Sequence, residues 1–279
     1  MGRRLVGRPY GLSAPRRARY GTGTAAGYSR RGWIWLGAWV AVVGMLTACR
    51  GDGDIVEPSV ITGTVGVRLA YVVGDDGQPF YRDSTYLTAS DDLVRINHLK
   101  YYVSEVRLRR RDSSYWTAPG RAVLLDAGRR DTFALRGVPA GEYVELTFTI
   151  GLDSVTNART DWGGDLAPAH EMFWAWNTGY KFLSLEGQWL GTTPAGIIEY
   201  HVGRAPMRRT LRLPLPGTAV VRAAATTQLT VAARPLVVFG GPNTMVLSDA
   251  HDRNVMFDTP QARRAADNYA TMFTVTHVE

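Results

Sequence analysis

Alternation with a period of two is the feature that most constrains this chain. Val144, Leu146, Phe148 and Ile150 alternate with Glu145, Thr147 and Thr149. In an extended strand that spacing sends one set of side chains to a core and the other to water. Val65, Val67, Leu69 and Tyr71 repeat the pattern ahead of a Gly74-Asp75-Asp76-Gly77 turn. Leu99 to Leu108 reads as the next long strand, with Tyr102, Val106 and Leu108 on one face. Tyr180 to Leu185 and Ile197 to Val202 form an expected pair across a loop holding Gly191 and Pro194. Short strands are expected around 208–213, 227–233 and 236–239. One helix is expected late, capped by Thr259, with Pro260 in its first position and Ala262, Ala265, Tyr269 and Phe273 at helical spacing. With no repeat and no internal linker, the expected fold is all-β: a single antiparallel β-sandwich or barrel-like domain with one short C-terminal helix.

The N-terminal stretch does not follow this pattern. Residues 1–31 carry eight Arg and no acid, and an apolar run from Trp33 to Met45 leads into Leu46-Thr47-Ala48-Cys49. A basic region, an apolar region and small residues before a cleavage point make a secretory signal. The last four residues match the lipobox of bacterial lipoproteins, in which the cysteine becomes the lipidated N-terminus. A transmembrane anchor is the alternative, since the stretch from Gly32 to Ala48, about 17 residues, reaches the lower limit for spanning. The expected organisation is a lipoprotein signal at 1–48, lipidated Cys49 with a flexible tether to residue 57, and the β domain at 58–279. This places the protein in the bacterial cell envelope, on the periplasmic face of either membrane.

Loss of the signal reverses the charge balance. The full chain has a net charge of +7, but removing eight Arg from its 32 Lys+Arg leaves 24 bases against 25 acids. The basic character belongs to the signal, so the domain offers no argument for a nucleic-acid partner. Cys49 is the only cysteine. Once it is lipidated, no disulfide, thiolate nucleophile, zinc ribbon or blue-copper site remains available.

The unusual stretch is Pro168 to Gly187. It holds Trp174 and Trp176, two of the eight tryptophans, together with His170, Met172, Phe173, Tyr180 and Phe182. An aromatic corner of the core is one reading of it. Motifs for familiar chemistry fail here: Trp174 stands where a zincin helix would need its second histidine, and no Gly-x-Ser-x-Gly elbow or EF-hand loop occurs. The five histidines are His98, His170, His201, His251 and His277. His201 alternates with Tyr200 and Val202, so it faces either solvent or a polar pocket behind the apolar side of its strand. His98 opens the Leu99 strand, His251 lies in a polar loop, and His277 is two residues from the end of the chain.

Four stretches resemble one family, the MbnP-like proteins found beside methanobactin genes and more widely in bacteria. They are His98-Leu99-Lys100-Tyr101-Tyr102-Val103-Ser104, Ile150-Gly151-Leu152-Asp153-Ser154-Val155-Thr156-Asn157, Leu166 through Gly187, and Tyr200-His201-Val202-Gly203. The resemblance implies an exported β-sandwich that binds copper as Cu(I) and is not itself an enzyme. It also implies a tryptophan oxidised to kynurenine by a partner di-haem cytochrome c peroxidase-like protein of the MbnH type. Carried over to this chain, the metal ligands are His201, with His98 and His277 behind it, and the oxidised residue is Trp176 or Trp174. His170 departs from the family pattern. Kynurenine offers an aniline nitrogen and a ketone where indole offers only an N–H donor, so oxidation turns a packing residue into a ligand. Two other readings stand beside this one: a sandwich that stacks a carbohydrate or peptide on exposed tryptophans, and a purely structural envelope lipoprotein.

Overall fold

The computed structural model describes residues 60–175 and 178–279. Trp176, Asn177 and residues 1–59, including Cys49, lie outside the described residues. The strands are β1 (Thr62–Val73), β2 (Gln78–Pro79), β3 (Thr85–Leu87), β4 (Leu93–Arg110), β5 (Tyr115–Thr117), β6 (Ala122–Asp126), β7 (Thr132–Pro139) and β8 (Gly141–Ile150). After the short helix α1 (Ser154–Asn157) come β9 (Phe173–Ala175), β10 (Gly179–Trp189), β11 (Gly196–Gly203), β12 (Arg209–Val221) and β13 (Thr226–Ala233). The chain closes with α2 (Val237–Gly240), α3 (Ala250–Arg253), β14 (Asn254–Phe257), α4 (Pro260–Tyr269) and β15 (Phe273–Val278).

Two sheets make a β-sandwich with a short C-terminal helix. The smaller sheet runs β15-β13-β1-β2, with β7 also paired to β1. The larger runs β12-β8-β4-β10-β11-β14, with β3, β5 and β6 along β4 and β9 on β10. Side chains from both sheets meet between them. The Tyr71 and Tyr101 hydroxyls are hydrogen-bonded at 2.8 Å, and Phe273 packs edge-on against Tyr101 and Phe148. Burial raises the pKa of both phenols, so each stays neutral and can donate or accept in the pair. Two pairings break the antiparallel rule: β1 with β13 and β11 with β14 run parallel.

β4 shows where simple alternation stops working. Its register slips against β10 between the pairs His98–Glu186 and Ile96–Gly187, leaving Asn97 as an extra residue. It slips again against β8 between Ser104 and Arg107, where Glu105 takes a left-handed φ of 51°. Each bulge switches which residues face the core. Val94 and Ile96 before the first bulge, and Leu99, Tyr101 and Val103 after it, are therefore all buried between the sheets. Tyr102 lies on the opposite face from Leu108, which corrects the single shared face expected from spacing. His98 lies well inside this 18-residue strand rather than at its start.

The expected strand at 236–239 is the helical turn α2. Val237, Val238 and Phe239 donate backbone hydrogen bonds to Arg234, Pro235 and Leu236. A short apolar run is equally compatible with a buried strand or a buried turn, and the turn preceded by Pro235 wins here. The late helix forms as expected at its start, where Thr259 Oγ1 accepts from Ala262 N at 3.2 Å. It ends at Tyr269, earlier than expected, and Phe273 begins β15 instead. No helix among the described residues is long and apolar enough to cross a membrane.

Candidate metal-binding face

The site lies on the outer face of the larger sheet, where β4, β10, β11 and β14 run side by side. Their inward residues, Leu99, Leu183, Leu185, Tyr200, Val202 and Val255, are fully buried. The outward residues form two rows. One row runs His98–Glu186–Glu199–Asn254, and the next runs Lys100–Ser184–His201–Met256. Register partners on adjacent strands share a face about 5 Å apart, so the pairing itself gathers these side chains. Lys181 joins them because it pairs with Gly203, two residues after His201 and on the same face.

His201 is at the centre and is only 8% exposed. Its Nε2 lies 2.8 Å from Glu186 Oε1 and 3.4 Å from Lys181 Nζ. Its Nδ1 lies 3.3 Å from Glu199 Oε1. Both ring nitrogens therefore have carboxylate partners, and Glu186, in register between His98 and Glu199, reaches His201 diagonally across the two rows. Among the described residues no three His, Cys, Asp or Glu side chains form a group able to hold a metal. The two imidazoles share one face, with Glu186 hydrogen-bonded to His201 and in register with His98.

A hairpin covers one end of this face. β9 folds back on β10, and Lys181 N donates to Met172 O at 2.7 Å. This brings the Trp174 ring edge-on to His201, with centroids 5.5 Å apart. The other side of Trp174 stacks on Phe257 at 3.8 Å, and the Arg204 guanidinium lies over Phe257. Trp174 is thus half-buried between a histidine edge and a phenyl ring. That position fits neither a flat open stacking platform nor simple inward core packing. The core reading does hold for Phe182 and Tyr180, both buried.

The segment after β8 secures the hairpin. Asp153 caps α1 by accepting from Val155 N and Thr156 N. The cap presents Asn157, whose side chain accepts from Tyr180 N and donates to Thr178 O. Gly179 has φ 76°, and a Cβ there would collide with Asn157. Phe257, which stacks on Trp174, and Arg204, whose guanidinium lies over Phe257, are non-glycine residues with left-handed φ. Such conformations cost energy and gather at functional sites.

The electrostatics favour a neutral His98. Burial, then the charge of Lys100, lowers its pKa below the ordinary 6.5, against the pull of Glu186 and Asp126. Burial resists ionisation of Glu186, but the hydrogen bond with His201 and the nearby His98 and Lys181 outweigh it and lower its pKa. Burial lowers the Lys181 pKa against the attraction of Glu186, Glu199 and Glu171.

The other histidines stand apart. His277 is on β15 in the smaller sheet, exposed, with Nε2 3.2 Å from Glu279 Oε1. His170 directs its ring at Gly164 O, and His251 pairs with Asp249. Sequence reasoning did not find Glu186, Glu199, Lys181 or Met256. Met256 carried the least signal, because it enters through a four-residue parallel strand from far along the chain. It is also the one methionine among the described residues that is not buried.

The model of the MbnP family matches residues 62–257, a span that contains both rows, the Trp174 hairpin and β14. The chain belongs to the MbnP family. Among solved structures, MbnP from Methylosinus trichosporium is similar at 17% identity, with a TM-score of 0.44, covering 65% of this chain and 78% of that one. No curated protein matches. Membership of the MbnP family brings a copper-related role in general terms. His98, His201, Trp174 and Met256 lie inside the matched MbnP span, and His277 lies beyond it.

His98 and Glu186 both bind protons less readily in the folded chain than in the unfolded one. Each therefore contributes stability that is complete above its unfolded pKa and is lost as pH falls through its folded pKa. Thermal unfolding should show the melting temperature falling as pH drops below 6.5, with a further fall below 4.5. His98→Asn should flatten the first part of that fall, and an unchanged profile would contradict the assignment.

Proposed function

We propose that this protein is a lipid-anchored envelope protein that receives and holds copper, as Cu(I), on the outer face of its larger sheet. The observation that carries the reading is the placement of His201 and His98 on one face, with Glu186 hydrogen-bonded to the first and in register with the second, and Trp174 packed over His201. The donor chemistry fits the ion. Without a thiolate, soft Cu(I) is served by imidazole and thioether, and the face offers two imidazoles with Met256 in register beside His201. Copper is the cargo here, and the chain binds it without transforming it.

His201 and His98 act as the ligands in this reading. In this reading the ion takes His201 Nε2 in place of its contact with Glu186, and Glu199, 3.3 Å from Nδ1, orients the ring, the usual service of a carboxylate behind a metal-bound histidine. Depression of the His98 pKa keeps its imidazole neutral at neutral pH, with one ring nitrogen unprotonated and open to copper. His277 lies on the other sheet and has no part in this face. Trp174 or Trp176 supplies a further ligand once it is oxidised to kynurenine. That conversion opens the indole ring and ends in hydrolytic loss of formate. It needs an external oxidant, delivered by a di-haem peroxidase-like partner of the MbnH type, and this chain is the partner's substrate rather than an enzyme. The domain is tethered through Cys49 after removal of residues 1–48.

Each part has its own test. Cu(I) titration of the wild type and His201→Ala should show affinity reduced more than about tenfold, or about 1.4 kcal/mol; equal affinities would rule out His201 as a ligand. Peptide mass spectrometry on protein isolated from its host should find kynurenine at Trp174 or Trp176. An unmodified peptide would remove the oxidation step and leave the histidine site standing. Fractionation of Cys49→Ser should move the protein from the membrane fraction to the soluble one, and retention in the membrane would exclude the lipid anchor.

A further inference from the structure

The chain contains 30 arginines and only two lysines. Both lysines, Lys100 and Lys181, are on the face that holds His98 and His201. Among the described residues, every ion pair away from this face uses arginine or histidine as its cation. Arginine offers a planar fork suited to pairing with carboxylates, whereas lysine offers a compact point charge. The face therefore departs from the practice of the rest of the chain at two positions.

The two ammonium groups sit close to where a metal would bind. Lys181 Nζ is 3.4 Å from His201 Nε2, the nitrogen that also meets Glu186. Lys100, with a side chain 12% exposed, donates to His170 O at 3.2 Å and lies 3.9 Å from Glu171 Oε2. Asp126 and Asp258 at the margins are taken up by Arg82 and Arg204. That leaves Glu171, Glu186 and Glu199 facing Lys100 and Lys181, a balance of one negative charge. A monovalent cation brings this face to neutrality, and a divalent cation leaves it positive beside two half-buried ammonium groups.

We propose that Lys100 and Lys181 are specificity-determining residues that set this face to take a monovalent rather than a divalent cation, with Lys181 exerting the larger effect. The inference rests on the reading of this face as a metal site. Its basis is Coulombic: the repulsion between an ammonium group and a bound ion scales with the charge of the ion. Removing one ammonium therefore changes the logarithm of the affinity for a divalent ion about twice as much as for a monovalent one. Ligand softness does not enter that ratio, because His98, His201 and Met256 are the same in both forms.

The test uses Ag(I) and Zn(II), neither of which changes oxidation state, titrated into the wild type, Lys181→Leu and Lys181→Arg. Leucine removes the charge without adding a donor atom, and Lys181→Leu should tighten Ag(I) about tenfold and Zn(II) about a hundredfold, narrowing the preference for Ag(I) about tenfold. Lys181→Arg keeps the charge and should leave the preference within about twofold of the wild type. Equal tightening of both ions by Lys181→Leu would mean steric relief and would overturn the proposal, as would no change in preference. Should Lys181→Leu not fold, Lys100→Leu provides the same comparison, with a smaller narrowing expected and an unchanged ratio again decisive against it. A wild type that binds neither ion would defeat the metal reading itself, a result distinct from binding with unaltered selectivity.

Discussion

The site depends on β10 being paired along both edges. On one side it meets β4 from Leu183 to Trp189, and on the other it meets β11 over the same residues. The double ladder fixes Glu186 between His98 and Glu199, diagonal to His201, and sets Ser184 between Lys100 and His201. Register in a sheet is unforgiving, because a slip of one residue exchanges the two faces. Here a slip would exchange Glu186 for Leu185 or Gly187 and leave His201 without its carboxylate partner. Gly187 marks the bulge that sets this register: a Cβ there would collide with the Arg95 carbonyl oxygen, so β4 and β10 approach closely only because glycine is present.

Burial and charge reinforce one another on this face. The inward side chains of the same strands are fully buried, which holds the outward ones rigidly at their register positions. The outward side chains are then crowded enough to lose water, which depresses His98 and Lys181, while hydrogen bonding and nearby positive charge keep Glu186 ionised. Trp174 adds to the crowding from above, secured through the Asn157 contacts of its hairpin. A polar patch built this way favours a charged Glu186 and a neutral His98 under the same conditions.

Much of the fold was legible in the sequence, because strand alternation and helix capping are local signals. The strands around Val144 and Val65 and the start of α4 follow directly from them. Faces along β4 were not legible, since bulges at Asn97 and Glu105 are set by what the neighbouring strands require. The turn at α2 was ambiguous because its residues are apolar on all sides. In the site, His201 was legible from its alternation with Tyr200 and Val202. Glu186, Glu199 and Lys181 were ordinary charged residues on strands until the register placed them around one imidazole. Met256 had no signal at all, because its strand finds β11 only in three dimensions.

β14 joins the sheet in parallel beside β11, far from it in sequence, and contributes both Met256 and the Phe257 ring that backs Trp174. His98, Glu186 and His201 are all synthesised before these last contributors. As the chain emerges from its N-terminus, the imidazoles and Trp174 therefore exist for a time without the edge strand that lies beside them. Long-range parallel pairings are slow to form because chain closure must come first. The order of the chain thus makes completion of the face a late event: the edge that supplies Met256 and backs Trp174 arrives after the residues it flanks.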